Sequence, residues 1–237
     1  MRRELAALVR QLRRRVESSD ESEWNLHGAA APCAGSADKA ARLAALARQV
    51  NACRQCSLGS QRLNPAFGVG SPDAGVMFIG EGPGYQEDRQ GEPFVGKAGR
   101  LLDKILASIG LSRRTVYIAN IVKCHPMKDP GNPQARGNDR PPSPEEIAAC
   151  RHFLDEQIDL ILPQIIVTLG SVATRVMLGT EESITRIRGQ WRTYKNIRLL
   201  PTFHPAALLR NPELKKDVWS DMKNLRKELG APAGGNP

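Results

Sequence analysis

The sequence lacks the features that would place the protein in a membrane or among disulfide-stabilised secreted domains. No apolar stretch approaches the roughly 18 to 20 residues of a membrane span. The opening segment, MRRELAALVRQLRRR, has no apolar core of the kind found in secretion signals. The chain has five cysteines, an odd number that argues against a disulfide framework. We therefore expect a cytoplasmic protein whose cysteines serve another purpose.

Acidic side chains are in the minority. The 237-residue chain has 34 Lys and Arg against 25 Asp and Glu, a formal net charge of +9. A surplus of this size suits a polyanionic partner, nucleic acid first and an anionic membrane surface second. The alternative is that the extra arginines only keep the protein soluble. We expect nucleic acid as the partner, no membrane, and a nucleoid-associated location.

Apolar spacing divides the chain into three parts. The first, residues 1–38, is predicted to be an amphipathic helix followed by a flexible, turn-rich linker that carries Cys33 as a bystander. The apolar stripe of this helix needs a surface to pack on, either the rest of the chain or a protein partner. Residues 39–230 form the main domain, and residues 231–237 are predicted to be a disordered tail.

The main domain alternates strand-like and helical stretches, which indicates an α/β fold. Strands are predicted at 75–79, 116–122, 165–169 and 197–202, and helices at 97–109, 144–161, 172–178 and 213–228. We expect a three-layer α/β/α sandwich around a central, mostly parallel four-stranded sheet. In such sheets ligands gather at the carboxyl ends of the strands.

The first predicted strand ends in the glycine loop FIGEGPGYQED, residues 78–88. Loops that cradle phosphate rely on backbone amides and a lysine, and they avoid carboxylates facing the anion. This loop has no lysine and carries Glu81 instead. The glycine loop therefore does not fit the pattern of a phosphate-binding loop, and its ligand is left open by these residues alone.

Three further side chains follow or end predicted strands or lie in a nearby glycine-containing loop. His204 comes directly after the last strand, where it serves either in a cleft or as a helix-capping or core histidine. Asn120 interrupts an apolar strand near its carboxyl end, and a buried amide there must find hydrogen-bond partners from protein or ligand. Phe94, in EPFVGKAG, taken alone is a weak signal because a phenylalanine is usually a core residue.

Four cysteines form a candidate metal site. Cys53 and Cys56 make a CxxC pair, which alone is redox-active, metal-binding or accidental, and Cys124 and Cys150 stand singly farther along the chain. Thiolates select zinc or iron–sulfur clusters. One close pair with two scattered cysteines favours a cluster slightly over zinc, and Cys124 and Cys150 as mere buried core residues remain the alternative.

Taken together, these residues resemble the uracil-DNA glycosylase superfamily, and specifically its family 4, the iron–sulfur type. The resemblance covers roughly three quarters of the chain and rests on GEGPG with the following Glu87, EPFVGKAG, NIVKC, EIAAC and HPAALLRNP in the family's order. It implies a monomeric, monofunctional DNA glycosylase that flips deoxyuridine out of DNA and hydrolyses its N-glycosidic bond, initiating base-excision repair. It also implies a [4Fe–4S] cluster held by Cys53, Cys56, Cys124 and Cys150.

The resemblance assigns the base pocket to five residues. Phe94 is expected to stack on the extruded uracil, and Asn120 to pair with its O4 and N3. Glu87 is expected beside C5, where the methyl group of thymine would clash with it. Gly80 and Gly82 complete the substrate-binding set, and Gly82 would let DNA approach closely.

The resemblance also assigns the chemistry and the DNA contact. His204 is expected to stabilise the departing uracil anion, and Glu81 to orient the attacking water and favour the cationic sugar. Leu208, Leu209 and Arg210 would form the loop that enters the duplex.

Two departures from the family pattern are visible. Residue 82 is glycine where the family usually has alanine, and the segment between Cys124 and Cys150 is about ten residues longer than usual. A related branch traps uracil-DNA covalently through an Arg-rich loop that ends in a histidine. This segment has no histidine after His125, so turnover is favoured over a non-turnover uracil-DNA binding module. A redox or structural iron–sulfur protein associated with replication is a more remote alternative.

Overall fold

A central sheet of six strands organises the computed structural model, which describes residues 35–230. The strands are β1 (Val69–Gly70), β2 (Val76–Gly80), β3 (Tyr117–Asn120), β4 (Ile165–Leu169), β5 (Arg192–Tyr194) and β6 (Ile197–Thr202), in the spatial order β1-β3-β2-β4-β6-β5. Strands β3, β2, β4 and β6 are parallel, whereas β1 and β5 pair antiparallel at the two edges. The mostly parallel sheet is confirmed, but the count of four strands is wrong. The edge strands were missed because two or three residues are too few to show an alternating pattern.

Helices cover both faces of this sheet. Within the described part they are α1 (Ser36–Ala52), α2 (Leu58–Gln61), α3 (Tyr85–Gln90), α4 (Lys97–Ser108), α5 (Pro144–Ile161), α6 (Ser171–Leu178), α7 (Ile184–Ile187), α8 (Pro205–Arg210) and α9 (Lys215–Leu229), with a 3₁₀ turn at Pro212–Leu214. Helix α5 begins as predicted, with Ser143 as the N-cap and Pro144 in the first turn. No helix within 35–230 combines the length and apolar character needed to cross a bilayer.

The three-layer arrangement follows from the two-residue period of the strands. In β2, Met77 and Ile79 pack into a core shared with α1 and α5, whereas Val76 and Phe78 pack into a second core shared with α4 and α9. All five residues of β2 and of β4 are buried because helices lie on both sides. The predicted α/β/α sandwich is confirmed.

The predicted segments on either side of the main domain are hardly covered by the structure. The predicted N-terminal helix, most of its linker with Cys33, and the tail at 231–237 lie outside the described residues. Helix α1 begins at Ser36, so the last residues of the predicted linker belong to the folded domain.

Candidate active site

A cleft of about 790 Å³ opens at the carboxyl ends of the parallel strands. Glu81 follows β2, Asn120 is the last residue of β3, Gly170 follows β4 and His204 follows β6, and all four line the cleft. Parallel strands deliver their carboxyl ends to one edge of the sheet, so residues distant in sequence meet there. The structure thus brings the acid, the amide and the histidine together, with Phe94 beside them.

Asn120 presents an unused acceptor at this edge. The residue is 1% exposed, and its side-chain oxygen Oδ1 is buried without a hydrogen-bond partner within residues 35–230. Leaving a buried acceptor unpaired costs about 1–3 kcal/mol. Such a cost in a cleft is offset when a ligand supplies the missing donor.

Phe94 forms the wall next to Asn120. Its backbone has a left-handed φ of 57°, which is costly for an aromatic residue, and the Arg113 guanidinium secures the turn by donating to the carbonyl oxygens of Pro93 and Phe94. The Phe94 ring centroid lies 5.5 Å from that of His204. A flat group that enters the cleft would therefore meet the phenyl ring on its way to Asn120.

Gly80, predicted to bind substrate, is not among the residues that line the cleft. A Cβ atom at this position would lie 2.5 Å from the Phe94 ring and would overlap Asn120 Oδ1. Gly80 is therefore a packing residue that gives both side chains their space. Gly82 does line the cleft, but a Cβ there would lie 2.9 Å from Val122 Cγ2, so packing against the protein also explains this glycine.

Glu87 lines the cleft as a fixed carboxylate. Its Oε1 accepts hydrogen bonds from the backbone amides of Val95 (3.0 Å) and Gly96 (2.8 Å), and its Oε2 accepts one from Gly84 (3.2 Å). These bonds join the glycine loop to the loop that follows Phe94. The carboxylate cannot swing aside without leaving three amides unpaired.

His204 is held as a neutral donor. Its Nδ1 accepts from the Ala206 amide at 3.1 Å and caps helix α8, which leaves Nε2 to carry the proton. Burial, and secondarily the positive charge of Arg210, lower the pKa of His204 to about 4. Gly170 packs tightly here, since a Cβ on it would lie 2.9 Å from His204 Cβ. At neutral pH His204 therefore presents an N–H group to the cleft and carries no positive charge itself.

Glu81 is a partly buried acid in the same cleft. Burial, and secondarily the negative charge of Asp139, raise the pKa of its carboxyl group. Asp139 also accepts a hydrogen bond from the buried His125, with Nε2 and Oδ1 2.7 Å apart. Sequence reasoning missed this neighbourhood because Asp139 lies 58 residues beyond Glu81 in the numbering.

The predicted duplex-entering loop is only partly suited to that role. Leu208, predicted to contact DNA, is 2% exposed and packs in the core with α4 and α9. Leu209 is 49% exposed and Arg210 is exposed at the cleft. Adjacent residues of a helix point in different directions, because the helix has 3.6 residues per turn. Leu208 therefore faces the core while Leu209 faces outward.

The four predicted cysteine ligands occupy one neighbourhood beside α1 and α5. All four are free thiols in or against one core, and Arg62 links two segments by donating to Cys124 Sγ (2.9 Å) and to the carbonyl oxygen of Cys53 (3.2 Å). Cys150 Sγ accepts from the Lys123 amide at 3.3 Å. Burial raises the pKa of Cys124 to about 11, an effect that Arg62 opposes and that Cys150 and Cys56 reinforce.

Donor chemistry in this neighbourhood suits an anionic thiolate-bound group. A guanidinium and a backbone N–H are directed at sulfur, as hydrogen bonds to cluster sulfurs require. In the described residues no three Cys, His, Asp or Glu side chains have the spacing of a single-ion site.

Comparison with known proteins adds the following findings. The family model "Uracil DNA glycosylase superfamily" matches residues 67–223. A "Type-4 uracil-DNA glycosylase" of Sulfurisphaera tokodaii is 43% identical over 187 residues, which is 75% of this chain and 80% of the relative. Proteins with the same description from Thermotoga maritima and Archaeoglobus fulgidus are 42% and 38% identical, covering 76% and 78% of this chain and 91% and 92% of the relatives.

Proposed function

The chain belongs to the uracil-DNA glycosylase superfamily, and from that premise we propose how its cleft removes uracil from DNA. The protein is a uracil-DNA glycosylase, a hydrolase of N-glycosidic bonds. Such an enzyme takes the target nucleotide out of the stack and into a pocket before it acts. Removal of the base leaves an abasic site, the starting point of base-excision repair.

The observation that carries the proposal is the unpaired Oδ1 of Asn120. Uracil offers an N3–H donor next to the O4 acceptor, so one amide receives the first through Oδ1 and donates to the second through Nδ2. Cytosine has an acceptor at N3 and a donor at position 4, which mismatches both atoms. Phe94 stacks on the base while Asn120 reads its edge.

Glu87 excludes thymine in this scheme. Its carboxylate lies beside C5 of the bound uracil, where thymine carries a methyl group. Because three backbone amides hold the carboxylate, it does not move away to admit that methyl group. The discrimination thus comes from a rigid barrier rather than from an attractive contact.

His204 and Glu81 divide the chemistry between them. Bond cleavage leaves negative charge on uracil and cationic character on the sugar. The Nε2–H of His204 donates to O2 of the departing base, as a donor of an oxyanion hole does. The Glu81 carboxylate orients the attacking water and favours the cationic sugar, which explains an acid in the glycine loop.

The DNA contact falls to Leu209 and Arg210. Leu209 is the exposed apolar residue after the cleft-lining turn and fills the space that the flipped nucleotide vacates. Arg210 lies at the cleft itself and binds a backbone phosphate.

Cys53, Cys56, Cys124 and Cys150 would hold a [4Fe–4S] cluster through their thiolates. The cluster would join three separate segments of the chain and would supply stability rather than a reacting group. Arg62 supports the proposal, because its positive charge and its hydrogen bond to Sγ stabilise the thiolate form of Cys124.

A direct test is incubation with an oligonucleotide that carries one deoxyuridine, with thymine and hypoxanthine oligonucleotides in parallel. We expect free uracil, an alkali-labile abasic strand, and no release of thymine. A protein–DNA adduct that survives denaturant without free uracil would instead identify a trapping protein and contradict the proposed turnover.

A further inference from the structure

The long segment between Cys124 and helix α5 folds into a defined wall of the cleft. Asn138 is its internal centre: its Oδ1 accepts from the amides of Lys128 (3.1 Å) and Asp129 (2.8 Å), and its Nδ2 donates to the carbonyls of Asp129 (2.9 Å) and Asn132 (3.0 Å). Asn138 is 6% exposed, although most of its neighbours are exposed. We call residues 125–143 the wall segment.

The end of the wall segment is fixed to helix α5. Arg140 forms a bidentate ion pair with Glu146, with Nη1–Oε2 and Nη2–Oε1 distances of 2.8 and 2.7 Å, and its Nε donates to the carbonyl of Met127. Bidentate charged pairs of this kind are among the stronger surface contacts. The backbone of the wall segment is therefore held at its centre by Asn138 and near its end by Arg140.

Four basic side chains line the cleft, and only one of them is neutralised within residues 35–230. Arg140 is paired with Glu146, as described. Lys97, Arg136 and Arg210 are exposed and have no ion-pair partner in the described part of the chain. They lie on three different elements, namely the first turn of α4, the wall segment and the end of α8.

The charged side chains of the cleft differ in exposure. Glu81 and Glu87, in the glycine loop and the helix that follows it, are partly buried, whereas Lys97, Arg136 and Arg210 are exposed. Asp139, an exposed acid of the wall segment, also lines the cleft and is paired with His125. A flipped deoxynucleotide brings a cationic sugar to the interior in the transition state and keeps its phosphates outside. This arrangement matches the two signs of charge that one bound DNA strand presents.

We propose that Arg136 is a DNA-phosphate contact, which makes the wall segment part of the DNA-binding surface. The inference rests on the proposed function, since it assumes that the cleft receives DNA. Arg136 positions the strand and does not touch the reacting atoms, so its loss weakens binding and leaves the chemical step unchanged.

The test compares Arg136→Ala with Arg114→Ala as the matched control. Arg114 is also exposed and unpaired among the described residues, but it precedes β3 and so lies at the opposite edge of the sheet from the cleft. Each variant loses one positive charge, so a general charge effect alters both equally. Affinity is measured as a function of salt, with undamaged duplex and with duplex that carries a non-hydrolysable 2′-fluorinated deoxyuridine as the probes.

One phosphate contact contributes about 0.9 to the slope of log affinity against log salt. A rise from about 50 to about 200 mM salt should therefore cost the wild type roughly 3.5-fold more affinity than Arg136→Ala. Arg136→Lys should keep most of the wild-type slope, and Arg114→Ala all of it. Single-turnover rates at saturating enzyme should be equal in all four proteins.

Equal salt slopes in wild type and Arg136→Ala would overturn the inference, as would equal losses in Arg136→Ala and Arg114→Ala. The Arg136 side chain makes no hydrogen bond within 35–230, so its truncation leaves the wall segment intact, and matched melting temperatures check this. A wild type that releases no uracil yet shows the slope change would refute the proposed function and leave the DNA contact standing. An active wild type without the slope change would refute the contact alone.

Discussion

Replacing His204 by alanine tests the chemistry of the cleft most directly. The imidazole has one free donor, Nε2–H, because Nδ1 accepts from Ala206. A hydrogen bond to a charged group contributes about 1.5–3 kcal/mol, which converts to roughly 10- to 150-fold in rate. Removal of an oxyanion-hole donor costs about 10² to 10³. We therefore expect a loss of about 10² in single-turnover rate, with binding of uracil-DNA preserved because the bond strengthens only as charge develops.

The capping bond of His204 requires a second variant. Alanine also leaves the Ala206 amide without its cap, a loss of about 0.5–2 kcal/mol in stability that has no part in catalysis. Asparagine is a good N-cap residue, so His204→Asn should restore the melting temperature while remaining as slow as His204→Ala. Wild-type rates in either variant, on one duplex at saturating enzyme, would refute the assigned role.

The depressed pKa gives the same residue a pH signature. With a pKa of about 4, His204 stays neutral through the range in which an ordinary histidine with pKa 6.5 becomes charged. The unfolded chain takes up a proton there that the folded chain does not, so stability falls as pH decreases from about 6.5 toward 4. Melting curves at pH 7 and pH 5 should show this loss in the wild type and a smaller loss in His204→Asn. An equal loss in both would place the titration elsewhere.

Three further predictions concern the remaining parts of the site. Asn120→Asp should weaken uracil excision and admit cytosine, because a protonated acid offers the reversed hydrogen-bond pattern. Competition between uracil and cytosine duplexes measures this selectivity, and unchanged selectivity would contradict the assigned contact. Glu81→Gln should slow the single-turnover rate by less than His204→Ala does. Protonation of Glu81, whose pKa is raised, should lower the wild-type rate at acidic pH. Glu81→Gln should abolish this decrease, and a decrease that persists in the variant would show that another group causes it. Anaerobically purified wild type should be brown with about four irons per chain, whereas Cys124→Ser should lose the colour and melt at a much lower temperature; a colourless wild type with one zinc would refute the cluster.

The sequence predicts the central fold well because its signals are periodic and long. The four central strands and the helices between them lie close to their predicted bounds, and α5 begins at its predicted N-cap, Ser143. The meeting of Glu81, Asn120 and His204 at one edge follows from parallel strands alone. The two edge strands had too few residues to leave a pattern.

The sequence does not predict which side chains are buried and which groups they contact. Leu208 and Leu209 are identical in type, and only the orientation of a six-residue helix decides that the first is buried. Gly80 has the look of a ligand-contacting glycine, yet two side chains fill the volume beside it. The three amides that hold Glu87 are backbone groups, which no residue letter reveals.

The anchoring of the wall segment has a consequence for how enzymes of this architecture diversify. Its first residue follows Cys124, and near its end Arg140 is clamped to Glu146, whose Oε1 lies 3.4 Å from the hydroxyl of Ser57 next to the CxxC pair. With both ends secured, the length between them changes at small entropic cost, since doubling a loop costs only about 0.6 kcal/mol. Insertions there can reshape the surface that meets DNA while Asn120 and His204 keep their positions on the strands. The segment is thus a place where substrate range can evolve separately from catalysis.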